Sequence, residues 1–469
     1  MQTKRDLLQA HRLMTQRAGQ ALILGEPDYP EQPMKRLNVG TFAGIMVSVL
    51  VAAVFGILGV FLGGGGDSLR KDGLLLIEKE TGSRFVWCTP EGAQDKVLCP
   101  VVNYASAKLA VGEQGTQKSV SAKSLAGFAR GPRIGIPGAP DTIPEAKRLV
   151  SSPWSVCARR TDDGTGRQRS VVSLVAGRDV GGKPVGESSV VVVGTGSESW
   201  VIWKNQRMRV SQSGLTVLGS PQPAQVAPKF INALPSGPDF KAPAIPDYGS
   251  KTGRGTVGQV FVVKSLNGGE DQWYVLLKDG FTAVSPIEAA LIQSDASYHL
   301  ARQTPLDPNT VTSNRSATHI SSNDLPQTRL AAVRYDDTQP LCVVYPDTSK
   351  GAQDARLTIG GGKDLPAAIG ASTGGGVDQV VLPPGSGVLA GVLPGAGQVN
   401  AINTYMFIAD NGRKYPLKSA DTAKALGYST SAENGNATPV PPNLLNLLPT
   451  GPVLDPGMAL LPVPAGASG

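Results

Sequence analysis

Four short patterns occur twice in this 469-residue chain, in the same order, and they constrain it more than its composition does. Leu234-Pro235-Ser236-Gly237-Pro238, preceded by Ile231-Asn232, returns as Leu448-Pro449-Thr450-Gly451-Pro452, preceded by Leu445-Asn446. Val102 to Ala110 aligns without gaps on Val284 to Ile292, Cys157 aligns on Cys342, and Trp200 on Tyr405. Taken along the chain, the separations are 182, 185, 205 and 214 residues. A steadily growing offset is the trace of a tandem duplication with insertions in its second copy, whereas chance matches scatter. The bulk of the molecule is therefore expected to be two related halves.

Composition sets the texture of those halves. With 57 Gly, 37 Pro, 17% charged and 5% aromatic residues, the chain favours short strands and many turns. The net charge of +7 is spread thinly, with no Lys/Arg run interleaved with aromatics, so no nucleic-acid partner is expected.

Val39 to Leu62 carries no charged side chain. A helix of that length reaches roughly 36 Å, enough to cross a hydrocarbon core of about 30 Å. A cleaved signal peptide would have a shorter apolar stretch, and its leading region would lack Asp6, Glu26, Asp28 and Glu31. Gly63 to Gly66 then reads as a flexible tether. Lys4, Arg5, Arg12, Arg17, Lys35 and Arg36 precede the span, which favours an inside N-terminus. All four cysteines, Cys88, Cys99, Cys157 and Cys342, come after it. An even number on one side suits disulfides in an oxidising compartment; reduced core cysteines are the alternative, and the spacing does not suit a zinc site.

If the halves associate about a pseudo-two-fold axis, residues near that axis meet their own counterparts, which makes Cys157 and Cys342 a candidate pair. Cys88 and Cys99 flank a turn at Pro90-Glu91-Gly92, where neighbouring strands could hold them together. Ahead of the span, Leu7, Leu8, His11, Met14, Ala18 and Leu22 recur at helical spacing, with Thr3 to cap and Gly25 and Pro27 to stop the helix. Its apolar stripe suits either the membrane surface or a cytosolic neighbour.

The exterior sequence reads as small strand, turn, strand, helix units. Trp273 to Leu277, Lys278-Asp279-Gly280, Phe281 to Val284 and a helix capped by Ser285 form the clearest copy. Similar copies fall at Phe85 to Ala110, at Trp200 to Val210, and at Tyr405 to Leu417. No copy can bury its own apolar face, so four are expected to lean on a central sheet supplied by Val190 to Val193 and Gln379 to Leu382. The expected fold is α+β, mainly β outside the membrane. It divides into a cytosolic helix and linker (1–37), a spanning helix (38–62), a Gly-rich tether (63–73) and an exterior domain (74–469). Within that domain the boundaries fall at about 74–130 for repeat 1, 150–235 for central strands with repeat 2, 256–300 for repeat 3, 335–430 for central strands with repeat 4, and 431–469 for a Pro-rich tail.

Fragments that imitate catalytic motifs fail on detail. Gly177 to Lys183 matches a phosphate-binding loop up to the Lys, but Pro184 stands where a Ser or Thr should hold magnesium. Gly370-Ala371-Ser372-Thr373-Gly374 resembles a nucleophile elbow, yet runs into Gly375-Gly376 and no histidine comes after it. His11, His299 and His319 have no ligand-spaced companions. No catalytic residue, cofactor or metal is expected.

Taken together, Arg17-Ala18-Gly19-Gln20-Ala21-Leu22, the span, Thr81-Gly82-Ser83-Arg84-Phe85-Val86-Trp87, Pro100 to Leu109, Gly131 to Pro140, Trp154-Ser155-Val156-Cys157 and the closing Leu448 to Pro452 resemble the EccB family of actinobacterial type VII (ESX) secretion systems. The resemblance covers nearly the whole chain. It implies a single-pass inner-membrane protein with a cytoplasmic N-terminus and a periplasmic domain of four repeats around a central domain. It also implies a disulfide at the positions of Cys157 and Cys342. The implied partners are other ESX membrane components, including the motor ATPase and the channel subunit, and further copies of the chain. Cys88 and Cys99 are an addition to that pattern. The implied role is structural; the competing expectation is a nucleotide hydrolase or cell-wall glycan binder, using the partial phosphate loop and aromatics such as Trp200, Trp203 and Trp273.

Overall fold

The computed structural model describes residues 3–25, 33–62, 66–162, 166, 168–265, 268–299, 302–366, 376–431 and 435–464. These fall into two units, Met1–Lys71 and Asp72–Gly469. Gly63 to Gly65 of the tether and the 370–374 elbow imitation lie outside the described residues.

The first unit is helical. Helix Lys4–Leu24 starts where the Thr3 backbone N–H and hydroxyl both donate to Asp6, and stops at Gly25, whose φ of 69° no β-carbon opposes. Within this unit Leu7, Leu8, Met14 and Leu22 are exposed. Helix Pro33–Leu62 begins with proline, whose missing N–H costs nothing in a first turn. Its stretch Val39–Ile57 is long and apolar enough to cross a membrane. Inside that stretch the Ser48 hydroxyl donates to the Gly44 carbonyl at 2.6 Å and so finds its partner within the helix.

The second unit contains four copies of one motif, and the motif is larger than the sequence patterns indicate. In repeat 1, strands Leu74–Glu78, Arg84–Cys88 and Val97–Pro100 form an antiparallel meander, succeeded by helix Tyr104–Val111. Strand Thr116–Val120 then returns parallel beside the first strand. Repeat 2 consists of Ser189–Thr195, Glu198–Trp203, Gln206–Arg209, helix Gln212–Val217 and Ala224–Gln225. Repeat 3 uses Val260–Val263, Gln272–Leu276, Phe281–Val284, helix Pro286–Ser294 and Gln303–Pro305. Repeat 4 uses Val388–Val392, Tyr405–Ile408, Lys414–Pro416, helix Ala420–Ala425 and Ala437–Val440. All four sheets share the spatial order third, second, first, fourth.

Each motif closes with a short helix and an extended segment laid parallel to its third strand. The closing backbone bond is the same every time: Gly131, Gly237, Ser316 and Gly451 donate to Leu98, Arg207, Phe281 and Lys414, at 3.1, 2.9, 2.9 and 2.8 Å. A β-carbon at Gly131 would strike Cys99 and Val97, one at Gly237 would press on Gln206 and Met208, and one at Gly451 would strike the Tyr415 ring. The repeated Leu-Pro-x-Gly-Pro is therefore a site where backbone must lie directly against a neighbouring strand.

The central sheet has six strands in the order Gln379–Val381, Gln168–Ala176, Trp154–Asp162, Leu341–Tyr345, Arg356–Ile359, Lys183–Pro184. Two hairpins, one from each half, lie side by side, with Trp154–Asp162 antiparallel to Leu341–Tyr345. The segment after each hairpin crosses to the outer edge of the other. The repeat 1 helix packs on that of repeat 4, and the repeat 2 helix on that of repeat 3. A pseudo-two-fold that exchanges repeat 1 with 3 and repeat 2 with 4 preserves both pairings.

Three expectations need correction. Val190 to Val193 forms the first strand of repeat 2 rather than part of the central sheet; Gln379 to Val381 does belong there, at an edge. The expected Pro-rich tail, 431–469, is instead structural over its described residues 435–464. Ala437–Val440 and helix Pro442–Leu445 complete repeat 4, and the Leu461 carbonyl accepts from Gly135 of repeat 1. Repeat 3 continues beyond 300, to include its fourth strand and the closing helix Pro308–Ser313. Proline misleads here because it ends helices and edge strands as readily as it populates linkers.

Candidate functional site

The joint between the halves is where the duplication converges. Side chains alternate along Trp154–Asp162: Trp154, Val156 and Ala158 face one core, while Ser155, Cys157 and Arg159 face the other side. Cys157 and Cys342 are directly opposite in the antiparallel register, 4.0 Å apart at Cα, disulfide-bonded and wholly buried. Beneath the opposite face lies the largest core, where Trp154, Leu174, Val343 and Tyr345 meet Phe230 and Leu234 of repeat 2 and Leu444 and Leu448 of repeat 4.

Polar groups fasten the same joint. The Tyr345 hydroxyl donates to the Ala233 carbonyl at 3.0 Å, and the Asn443 amide reaches both that carbonyl and the Tyr345 oxygen. Desolvation, partly offset by the Asn443 hydrogen bond, pushes the Tyr345 phenol up to about 12. Lys229 of the repeat 2 closing helix, Pro228–Ala233, pairs with Asp378 at 2.7 Å, and Asp378 also accepts from the Val172 N–H at 2.9 Å. Repeat 2 is thereby pinned to the central sheet.

The second cysteine pair is local. In repeat 1, Cys88 opposes Val97 and Cys99 opposes Val86, so the two cysteines are diagonal neighbours on one face; they are bonded with Cα atoms 5.9 Å apart.

The phosphate-loop imitation has a different geometry. Gly177, Gly181 and Gly182 have φ of 73°, 65° and 105°, and Asp179 accepts from the Gly181 N–H at 2.9 Å. Lys183 and Pro184 then form a strand pairing with Ile359 and Thr358. A phosphate loop needs a helix N-terminus after its lysine, and a strand edge stands there instead. His11 is on the exposed N-terminal helix, His299 lies 6.0 Å from the Tyr248 ring, and His319 is exposed. Among the described residues no three His, Cys, Asp or Glu side chains gather in metal-binding geometry. Trp200 donates to Thr195, Trp203 donates to the Glu187 carbonyl, and Trp273 packs on the repeat 3 core.

Sequence reasoning missed Arg159, Lys229, Asp378 and Asn443. Each makes contacts across 98 residues or more of chain, so nothing in its local sequence marks it.

These features define a class: a single-span membrane protein carrying an internally duplicated, disulfide-joined domain of four repeats. The chain belongs to the family described as type VII secretion system ESX-1, transport TM domain B (EccB), whose model matches residues 1–464. Among its relatives, the ESX-1 secretion system ATPase EccB1 of Mycobacterium tuberculosis (strain ATCC 25618 / H37Rv) is 27% identical over 494 residues, covering 98% of this chain and 97% of its own. The ESX-3 secretion system ATPase EccB3 of the same strain is 28% identical over 402 residues, covering 78% of this chain and 73% of its own. Among solved structures, a chain of the intact ESX-5 inner membrane complex matches with a TM-score of 0.62 at 22% identity, over 99% of this chain and 96% of that one. The EccB3 dimer from the ESX-3 core complex matches with a TM-score of 0.60 at 25% identity, over 82% of this chain and 99% of that one.

Proposed function

We propose that the chain is a structural and assembly component of an ESX inner-membrane secretion complex. Its N-terminal helix and span anchor it, and its periplasmic domain links protomers and neighbouring ESX components, the channel subunit and motor ATPase among them. The observation that carries this reading is the joint itself: two equivalent halves share one sheet, one large core and the Cys157–Cys342 bridge. Such a body resists deformation between its arms, as a brace requires. The relation to an EccB3 dimer and to an ESX-5 inner membrane complex supports the choice of partners. The test is purification of the tagged full chain in mild detergent, with identification and stoichiometry of what accompanies it. Recovery as a lone monomer from cells holding an intact ESX system would refute the proposal.

The word ATPase in the relatives' names motivates a second reading, nucleotide hydrolysis. The strand that Lys183 enters speaks against it. Turnover by the purified full chain that disappears in Lys183→Ala would overturn the purely structural role.

A further inference from the structure

The buried bridge lies under a segment that follows the second hairpin of the central sheet, Gly360 to Pro366. The Gly360 N–H donates to the Pro340 carbonyl at 2.8 Å, and the Gly362 N–H donates to the Val180 carbonyl at 2.7 Å. Two Gly-Gly-Lys loops, at 181–183 and 361–363, meet there backbone to backbone: a β-carbon at Gly182 would lie 2.8 Å from the Gly361 nitrogen. A β-carbon at Gly362 would lie 3.3 Å from the Cys157 sulfur, and the Cys342 sulfur is 3.5 Å from the Gly361 carbonyl oxygen. Leu365 closes an apolar cluster with both cysteines, Val175 and Val344. The far end is gripped by Arg159, which lies two residues beyond Cys157 on the same strand face. Its Nη1 donates to the Leu365 carbonyl at 2.8 Å, and its Nη2 donates to the Pro366 carbonyl and, at 3.3 Å, to Gln379 Oε1.

We propose that Gly360 to Pro366 is a latched cover over the Cys157–Cys342 bridge, with Arg159 as its latch, and that it keeps the bridge out of reach of thiol reductants in the folded chain. Exchange needs a thiolate to attack one bridge sulfur and expel the other. A dithiol such as dithiothreitol then closes to its own disulfide, giving two electrons and two protons to leave Cys157 and Cys342 as thiols. That attack has no approach while both sulfurs are buried beneath the cover. The same constraint acts in reverse: oxidation of the pair must precede docking of the cover.

The experiment incubates the full-length protein in mild detergent with dithiothreitol, alkylates free thiols at intervals and tracks each cysteine peptide by mass spectrometry. The wild-type Cys157 and Cys342 are expected to resist alkylation in native buffer and to react rapidly in denaturant. Arg159→Met keeps the apolar stem and removes the donors; it is expected to speed native reduction roughly tenfold or more, with circular dichroism unchanged before reduction. Arg159→Lys, with one cationic donor group, is expected to fall between. Native reduction of the wild type at the denatured rate overturns the proposal, as does a folded Arg159→Met that reacts no faster than wild type. Leu365→Ala tests the cover from its apolar side, with the same acceleration expected, should Arg159→Met fail to fold.

Discussion

Arg207 and Lys414 occupy equivalent places in the third strands of repeats 2 and 4, and each donates to a carbonyl at the end of the short helix closing its own repeat. Arg207 reaches Ile231 at 3.1 Å and the Asn232 side chain at 2.7 Å; Lys414 reaches Leu445 at 2.7 Å. These are the Ile-Asn and Leu-Asn pairs that precede the repeated Leu-Pro-x-Gly-Pro. A helix end leaves carbonyls without intrahelical partners and carries partial negative charge, so a cation there is doubly favoured.

Lys414→Ala should lower the stability of the periplasmic domain by about 1–3 kcal/mol, because it strips a buried carbonyl of its charged partner. Burial holds the Lys414 ammonium below its ordinary pKa, and its Nζ donates to the Leu445 carbonyl. Arg207→Ala should cost less, since the residue as a whole is less buried than Lys414. Denaturant midpoints of the two variants in the full chain provide the comparison.

Gly451→Ala should destabilise by about 1–3 kcal/mol through overpacking against Tyr415. Gly127→Ala serves as the control, because no atom lies within 4 Å of its would-be β-carbon. Equal melting temperatures for the two variants would contradict the close-approach explanation of the repeated motif.

Tyr345 gives a dependence on alkaline pH. Its phenol is raised from 10.0 to about 12 in the folded chain, so the unfolded chain loses that proton first as pH rises. The stabilisation is therefore fully present below pH 10 and lost as pH passes through about 12. Tyr345→Phe should be less stable than wild type by about 1 kcal/mol near neutrality, and the gap should shrink across that alkaline window. A gap that widens there would contradict the assignment.

The disulfides should rank by the chain they close. Replacing both Cys157 and Cys342 by Ala releases a separation of 185 residues, and replacing Cys88 and Cys99 releases one of 11. In the chain-entropy description these cost about 5 and about 3 kcal/mol. Equilibrium unfolding under oxidising conditions checks both the order and the magnitudes.

The legible part of the fold was carried by side chains that must be what they are. Trp273 to Leu277 and Phe281 to Val284 read as paired strands because their buried residues pack against a core. The fourth strand of repeat 1, Thr116 to Val120, did not read as a strand, since four of its five residues are exposed and it is held by backbone bonds to Leu74–Glu78. Backbone pairing at a sheet edge leaves little pattern in a sequence. At the joint, Cys157 and Cys342 were legible through the duplication. Arg159 and Asp378 were not, because their partners lie 149 residues or more away.

By itself the sequence determined that a charge-free stretch crosses a membrane and that the polypeptide beyond it is doubled, with Leu-Pro-x-Gly-Pro recurring in the second half. The first follows from local chemistry, the transfer of apolar groups from water, and the second from repetition alone. Only the tertiary structure decided that the hairpins exchange edge strands, that repeat 1 joins repeat 4, and that the closing Pro-rich residues are core rather than tail. Those outcomes depend on which distant surfaces bury one another best, a property of the assembled chain that no single segment possesses.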